Sequence, residues 1–517
     1  MSTAVYLNTL GHGFVFDDFR GILNNGLVSA PTGMPEVWPI LREPWRPLVQ
    51  FSYAITHLAF GFDPRAYHAG NILIHAINSV LVYAIARLLA DLWLPRERGP
   101  VFAVVAGLVF AVHPLHSEAV AYVWGRSSSL STAFCLASIL FVVTGHRTSS
   151  ERARILWLGG AMIAGLLAWK TKEDVITLPL VISVFFWLVG RRLAAASALL
   201  IPLALLAGRW TDVSALSQQV TTQNQELILA GADHTLTRGV YTMSVLQSSV
   251  FYYLKKFLLP IDLNVDPSIA PVGNPWQIPF LTALVILGAL FALCFWARNR
   301  QRLLSFGLAA LLISPLLSYA AINLADVVAE HRVYFPGFGF ALLAAWVLTS
   351  RPSVAKIVIP VLLSLLCITT FERNKAWKDS ITLWSDAEAK SPMLARPPLN
   401  LAVAYQNAGR YDEALGKYLR ALAVNPRLSL AYSNIALIYG TRGDFGSAEK
   451  FYRRAMEASP GRIHPYIQLA ELFLRQQAPG KALEILERAP ESADAALSGY
   501  RAQLVLRLQR EVSQRTH

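Results

Sequence analysis

The chain has 517 residues, 54% of them hydrophobic and only 15% charged, and its apolar residues come in long runs separated by short basic clusters. That composition sets aside an ordinary soluble domain and points to a polytopic helical membrane protein. The net charge of +13 would suit nucleic acid, but the arginines fall between apolar runs rather than along one basic face, so the enrichment of Lys and Arg in cytoplasmic loops explains them more simply.

In chain order, "MSTAVYLNTLGHG" has too few apolar residues to span and no basic start of a signal peptide. "HGFVFDDFRGILNN" at 12–25 then sets Asp17 beside Asp18 ahead of the first long apolar run. Adjacent acids near lipid repel one another and lose hydration, which suits a site; a solvated loop with an Asp cap is the plainer alternative. Ten apolar stretches of spanning length follow, at about 67–93, 100–118, 128–145, 155–170, 174–190, 193–209, 276–296, 303–321, 334–350 and 355–371. The clusters Arg96/Arg98, Arg147/Arg152/Arg154, Arg191/Arg192, Arg298/Arg300/Arg302 and Arg351/Lys356 all fall on one side of that alternation, which is then the cytoplasm. Ten spans put both ends of the chain outside the cytoplasm, so a further helix ahead of Met1 is expected to carry the N-terminus across.

The opposite face collects the unusual chemistry: the Asp17-Asp18 loop, "HPLHSEAVAYVWGR" at 113–126, "KTKED" at 170–174, the stretch 210–275 and "AEHRVYFPGFG" at 329–339. "GVYTMSVLQSSVFYYLKKFLLP", within 210–275, reads as an interfacial or re-entrant helix, because a span there would reverse the later basic clusters. External loops are thus expected at 1–66, 119–127, 210–275 and 322–333. Cys135, Cys294 and Cys367 each sit inside an apolar run without paired spacing and read as small buried hydrophobes.

After residue 371 the composition becomes that of a soluble helical domain, 372–517. Pro392, Pro426 and Pro460 recur every 34 residues, as do Tyr405, Tyr439 and Phe473, and Ala414, Ala448 and Ala482. That is the tetratricopeptide period, in which small residues let paired helices approach and Pro ends the second helix. About three and a half repeats fit, with Trp384 and Ala387 in the second half of an incomplete first one and a polar final helix over 495–517. The expected fold is therefore all-α: a polytopic membrane helix bundle followed by a tetratricopeptide-repeat α-solenoid.

Taken in order, Asp17-Asp18, His113-Pro114-Leu115-His116-Ser117-Glu118-Ala119-Val120, Lys172-Glu173, Glu330-His331-Arg332-Val333-Tyr334-Phe335-Pro336, Trp377-Lys378-Asp379 through Leu383-Trp384, and then the repeats, the chain resembles the transmembrane and tetratricopeptide-repeat-containing O-mannosyltransferases and their bacterial relatives. The resemblance implies a GT-C-type glycosyltransferase fold over 1–371. It also implies an enzyme that moves a sugar, mannose or another hexose, from a polyprenyl- or dolichyl-phosphate donor to a hydroxyl acceptor such as protein Ser or Thr, on the non-cytoplasmic face of the bacterial inner membrane or the ER membrane. The chain departs from the family in lacking a helix before the Asp-Asp loop and in having few repeats. A membrane-anchored tetratricopeptide scaffold without catalysis is the alternative, although it leaves the polar loops on one face without a purpose. A flippase or transporter would show mid-span charges and internal symmetry, and neither is seen.

On that reading Asp17 or Asp18 takes the acceptor proton, a task suited to a carboxylate tuned by burial or by a like charge. The other orients it, holds a cation or caps a helix. Arg126, Lys170, Lys172, His331 and Arg332 are candidates for the donor phosphate, each with snorkelling at a helix end as its alternative. His113, His116, Glu118, Glu173 and Glu330 are further substrate-site candidates, the histidines also reading as hydrogen-bonded interface polars. H-P-x-H is not the helical spacing of zinc proteases, so no metal site is expected and a divalent cation is not indicated. The expected partners are a membrane lipid-linked sugar and a protein or peptide acceptor held in the tetratricopeptide groove, with no nucleic acid.

Overall fold

The structure is a computed structural model that describes residues 1–196, 236–321, 326–491 and 495–516. Its described residues form two compact units, one running to Asp386 and one beginning at Ala387. The division falls after Asp386 rather than at the expected 371/372. The helix Pro352–Lys375 runs past 371, and Trp377, Leu383 and Trp384 beyond it are buried.

Five helices among the described residues are long and apolar enough to cross a membrane: Pro64–Trp93, Val123–Arg147, Glu151–Thr171, Ile278–Ala297 and Pro352–Lys375. A sixth crossing is available if the bent pair Gly99–Val112 and Pro114–Ala121 acts as one. The chain is a multi-pass membrane protein, and among the described residues the full-length crossings are fewer than the ten expected. The stretch expected at 174–190 opens on a turn, Glu173–Thr177, which leaves the helix Leu178–Leu188. At 303–321 the helix Arg302–Ala321 carries Pro315, which interrupts its backbone ladder, and at 334–350 the helix starts only at Pro336 and ends at Leu348. Most of 193–209 lies outside the described residues. Hydropathy counts apolar turns and apolar helices alike, which is why the windows came out long.

The helix Pro64–Trp93 is set up by Asp63, whose carboxylate accepts the Arg65 amide at 3.0 Å, and by Pro64 at its first position. Its 30 residues rise about 45 Å, more than a bilayer core requires. Tyr67, Asn71, His75, Asn78, Val82, Ile85 and Leu89 recur three or four apart and are buried, whereas Leu73, Ile77 and Val80 are exposed. Polar groups inward and aliphatic groups outward reverse the soluble pattern, as lipid requires.

Pro114 breaks the next crossing. Gly99–Val112 and Pro114–Ala121 meet at 51°, and the break strands the last carbonyls of the first helix. Each finds a donor. Phe110 O lies 2.8 Å from His116 Nδ1, Ala111 O lies 3.0 Å from His75 Nε2, and Val112 O accepts the Thr370 hydroxyl at 2.7 Å. The segment expected as an external loop at 119–127 is consequently wound, with Ser117–Ala121 and a turn Val123–Gly125 on either side of Tyr122. The expected loop 1–66 likewise holds the helix Pro47–Phe60. Within 210–275, helical turns run from Arg238 to Leu258 without a gap. Where Arg302–Ala321 crosses Pro336–Leu348, a Cβ on Gly339 would stand 2.4 Å from Leu311 N, so only glycine permits that approach.

In the second unit the pairs Arg396–Asn407/Tyr411–Val424, Ser429–Thr441/Phe445–Ala458 and His464–Arg475/Pro479–Glu487 precede Ala495–Thr516. Ala414, Ala448 and Ala482 are wholly buried between paired helices. The turns inside the pairs need a left-handed residue, supplied by Gly409 (φ 72°), Gly443 (φ 81°) and, at the same 34-residue step, Gln477 (φ 57°).

Candidate active site

The two adjacent acids have different surroundings. Asp18 is wholly enclosed, and its carboxylate oxygens accept the backbone amides of Val15 at 2.9 Å and of Trp124 at 2.7 Å. Burial pushes its carboxyl well above the usual range, outweighing the two amides; the Asp17 charge adds to the rise and Arg126 opposes it. Asp18 therefore ties the loop 12–25 to the segment that opens the Arg126–Arg147 helix. Asp17 is only partly buried, and its backbone amide donates to the Tyr122 hydroxyl at 3.0 Å. Phe16, immediately before it, takes a left-handed conformation (φ 51°) that costs a residue with a side chain about 1–2 kcal/mol, the kind of outlier that collects at functional sites. Gly21 closes the loop against Trp124, whose ring would stand 2.1 Å from a Cβ there.

A second cluster forms where three separated segments meet. Glu118 exposes 3% of its surface; one oxygen lies 2.6 Å from His331 Nδ1 and the other accepts the Glu330 amide at 2.8 Å. Glu330, fully buried, accepts the Tyr252 hydroxyl at 2.8 Å and the Asn264 amide at 2.7 Å on one oxygen. Its other oxygen lies 3.5 Å from Arg373, which pairs with Asp386 at 2.9 Å. Burial raises the Glu330 carboxyl to about 7, against the pull of Arg373 and with a push from Glu118. Burial also holds the His331 imidazole well below its ordinary range, with Lys172, Arg332 and Arg46 adding to the shift. Arg332 donates to the Asp326 carbonyl at 2.7 Å.

Lys172 is buried, donates to the Ser128 hydroxyl at 2.8 Å and pairs with Asp174 at 3.0 Å. Burial draws its ammonium below the usual range, while Asp174 opposes that shift. Glu173 takes a two-pronged bond from Arg46 at 2.6 and 3.0 Å. Burial alone would raise the Glu173 carboxyl, yet Arg46 and Lys172 hold it below its ordinary value. Between these segments opens a small cleft, with a cavity volume of about 10 Å³, lined by Ser128, Ser131, Thr132, Asp174, His331 and Arg332 among others. It presents hydroxyl and cationic donors, the equipment for an anionic group.

The structure thus brings His331, Arg332, Glu118, Glu330 and Lys172 together, with Glu173 and Arg46 beside them. Other residues singled out in the sequence lie elsewhere. Arg126 is 2% exposed; its guanidinium donates to Asn71 Oδ1 and the Tyr67 carbonyl, both at 2.8 Å, and lies over the Tyr53 ring. Lys170 is exposed on its helix. His113 accepts the Leu115 amide at 3.3 Å and reaches the Phe257 carbonyl at 3.0 Å, while His116 serves the broken helix. Among the described residues no group of three or more His, Cys, Asp or Glu is arranged to hold a metal ion. Sequence reasoning passed over the hydroxyl run Ser127-Ser128-Ser129 with Ser131 and Thr132, and Arg46; five hydroxyl residues opening an apolar span was the available signal.

Comparison with known proteins places the chain in context. Residues 393–461 and 441–504 match two family models, each described as a tetratricopeptide repeat. The human protein O-mannosyl-transferase TMTC3 is 27% identical over 477 residues, covering 82% of this chain and 50% of that protein. The Mus musculus protein O-mannosyl-transferase TMTC4 is also 27% identical, over 79% of this chain and 63% of that protein. The chain thus spans about half to two thirds of the length of these relatives. The crystal structure of ArnT from Cupriavidus metallidurans bound to undecaprenyl phosphate aligns with 87% of this chain and 78% of its own at 15% identity, with a TM-score of 0.40. The chain is a membrane protein ending in tetratricopeptide repeats, similar over most of its length to protein O-mannosyl-transferases.

Proposed function

We propose that the protein is a membrane glycosyltransferase of the GT-C type that transfers a hexose, mannose foremost, from a polyprenyl- or dolichyl-phosphate donor to a hydroxyl of a protein acceptor on the non-cytoplasmic face. The observation that carries this reading is the cleft of Ser128, Ser131, Thr132, Asp174, His331 and Arg332, with Lys172 bonded to one of its hydroxyls and paired with Asp174. Such a set suits a phosphate better than a neutral solute, because hydroxyl and cationic donors without a facing carboxylate excess favour an anion. Similarity to proteins named as O-mannosyl-transferases across some four fifths of the chain supports the same reaction.

The acceptor oxygen attacks the sugar's anomeric carbon as the bond from that carbon to the phosphate oxygen breaks, and the electron pair leaves with the lipid phosphate. Lys172 and Arg332 offset the charge that develops there, and His331 lines the same cleft. Asp17 is the base that takes the acceptor proton, because it is the partly exposed member of the pair, whereas Asp18 is wholly enclosed. Glu118, held by the Glu330 amide, fixes the His331 ring through Nδ1 and leaves Nε2 for the cleft. The repeats supply a groove for the acceptor polypeptide, raising its local concentration.

The test is incubation of the purified full chain in nanodiscs with a polyprenyl-phosphate hexose and Ser/Thr peptides, read by mass spectrometry. A hexose added to peptide supports the reading. Protein that neither transfers nor hydrolyses the donor, while still binding it, sinks the reading in favour of a scaffold.

A further inference from the structure

The segment that leaves the last membrane helix folds back onto the acid loop. Trp377 is wholly buried and stacks on Tyr122 at 5.0 Å between ring centroids and 21° between planes. Tyr122 in turn stacks on Phe16 at 6.2 Å and 26°, and the edge of Trp384 meets Phe16 at 5.2 Å and 83°. The backbone joins in, since the Gly13 amide donates to the Lys378 carbonyl at 2.9 Å. Asn374 donates to the Val5 carbonyl and to Asn8 Oδ1, so the N-terminal segment ahead of the acids is bound to the same stretch.

We infer that Trp377, Tyr122, Phe16 and Trp384 form an aromatic clasp that positions Asp17, so that the placement of the base depends on the segment leading into the repeats. Three features carry the inference. Phe16 is held left-handed, a conformation it leaves unless its ring is anchored, and its anchors are Tyr122 and Trp384. Tyr122 is the clasp's link to the acid, since its hydroxyl receives the Asp17 amide while its ring lies between Phe16 and Trp377. Asp18 and Trp124 fix the far side of the loop, which leaves the near side to the clasp. Edge and offset ring contacts of this kind fix orientation as well as burying area. Trp384 belongs to the helix Ser380–Lys390, which the chain enters on its way to the repeats, so a change in that helix reaches Phe16 through one ring. These are positioning residues, and the inference rests on Asp17 being the base.

The experiment uses the full chain in nanodiscs with a polyprenyl-phosphate hexose and a Ser/Thr peptide. Trp384→Leu removes the edge contact and Phe16→Leu removes it from the other side, while Trp384→Phe keeps a ring. Displacement of a base by about an ångström costs up to roughly a hundredfold in turnover. Trp384→Leu and Phe16→Leu are therefore each expected to lower kcat at least tenfold, with the donor KM within about twofold of the parent and with Trp384→Phe restoring most of the loss. In an Asp17→Asn background the same substitutions are expected to cost nothing further, because a residue acting through Asp17 has nothing left to position. Parental kcat in both leucine variants, or a full loss persisting in the Asp17→Asn background, overturns the clasp. A variant that fails to fold even as Trp384→Phe also overturns it, since the ring would then serve stability alone. An active Asp17→Asn protein refutes instead the assignment of the base.

Discussion

Replacing Asp18 separates an anchor from a base. Its two oxygens accept amides at 2.9 and 2.7 Å inside an environment with no solvent access. Alanine leaves both amides buried without an acceptor, and each such orphaned donor costs about 1–3 kcal/mol, so Asp18→Ala is expected to cost about 2–6 kcal/mol. Asparagine retains one acceptor but turns an NH2 toward the other amide, for about 2–3 kcal/mol. Against a total stability on the order of 5–15 kcal/mol, alanine leaves little folded margin, and asparagine lowers the melting temperature by roughly 5 °C. Asp17→Asn keeps the backbone bond to Tyr122 and is expected to melt close to the parent while turnover falls roughly a hundredfold. Thermal unfolding followed by intrinsic fluorescence in nanodiscs, paired with transfer assayed by mass spectrometry, measures both. An Asp18→Ala protein that melts with the parent refutes the anchoring argument, and near-parental turnover in Asp17→Asn refutes the assignment of the base.

Other outcomes follow from the same geometry. Glu330, raised from its unfolded value of about 4.5 to about 7, binds its proton more tightly when folded, so stability is expected to fall as pH rises from about 5 to 7 and to level above that; Glu330→Gln, keeping the acceptor for Tyr252 and Asn264, is expected to lessen the slope of melting temperature against pH across that range. Lys172→Met removes the buried ammonium beside Ser128 and is expected to raise the donor KM about tenfold or more, read from initial rates against donor concentration; an unchanged KM would detach Lys172 from the phosphate. Gln477→Gly relieves a left-handed backbone and is expected to stabilise the repeats by about 0.5–1 kcal/mol, whereas Gly443→Ala should destabilise them by a similar amount, both measured by urea unfolding. Reporter fusions at residues 98 and 385 are expected on opposite sides of the membrane, and a shared side would overturn the topology.

The repeats were legible because their period is local: proline, alanine and aromatic positions recur within one helix pair, and the left-handed turns at Gly409 and Gly443 announce themselves as glycine. Gln477 did not, since nothing in its identity marks a positive φ. Glu118, Lys172, Glu330 and His331 were each picked out as polar groups near lipid, which is a statement about expense that sequence can make. That Glu118 meets His331 across more than two hundred residues is a matter of tertiary packing, which no spacing encodes. The same limit hid the difference between Asp17 and Asp18, whose neighbours come from around residues 122–124. His113 and His116 read as site candidates because sequence shows the proline between them but not the carbonyls that the proline sets free.

Those carbonyls have a bearing on how the protein is made. The three that Pro114 releases are claimed by His116 nearby, by His75 from an earlier crossing and by Thr370 from the final one. An orphaned carbonyl in hydrocarbon costs several kcal/mol, so the broken crossing is complete only when the last membrane helix arrives, some 250 residues after the break has been synthesised. Until then Val112 must borrow water or lipid headgroups, which holds the break near the membrane surface rather than at depth. A chain halted before residue 370 would therefore leave the Val112 carbonyl without its donor, and the seal on the second crossing is set by the last membrane helix to be made.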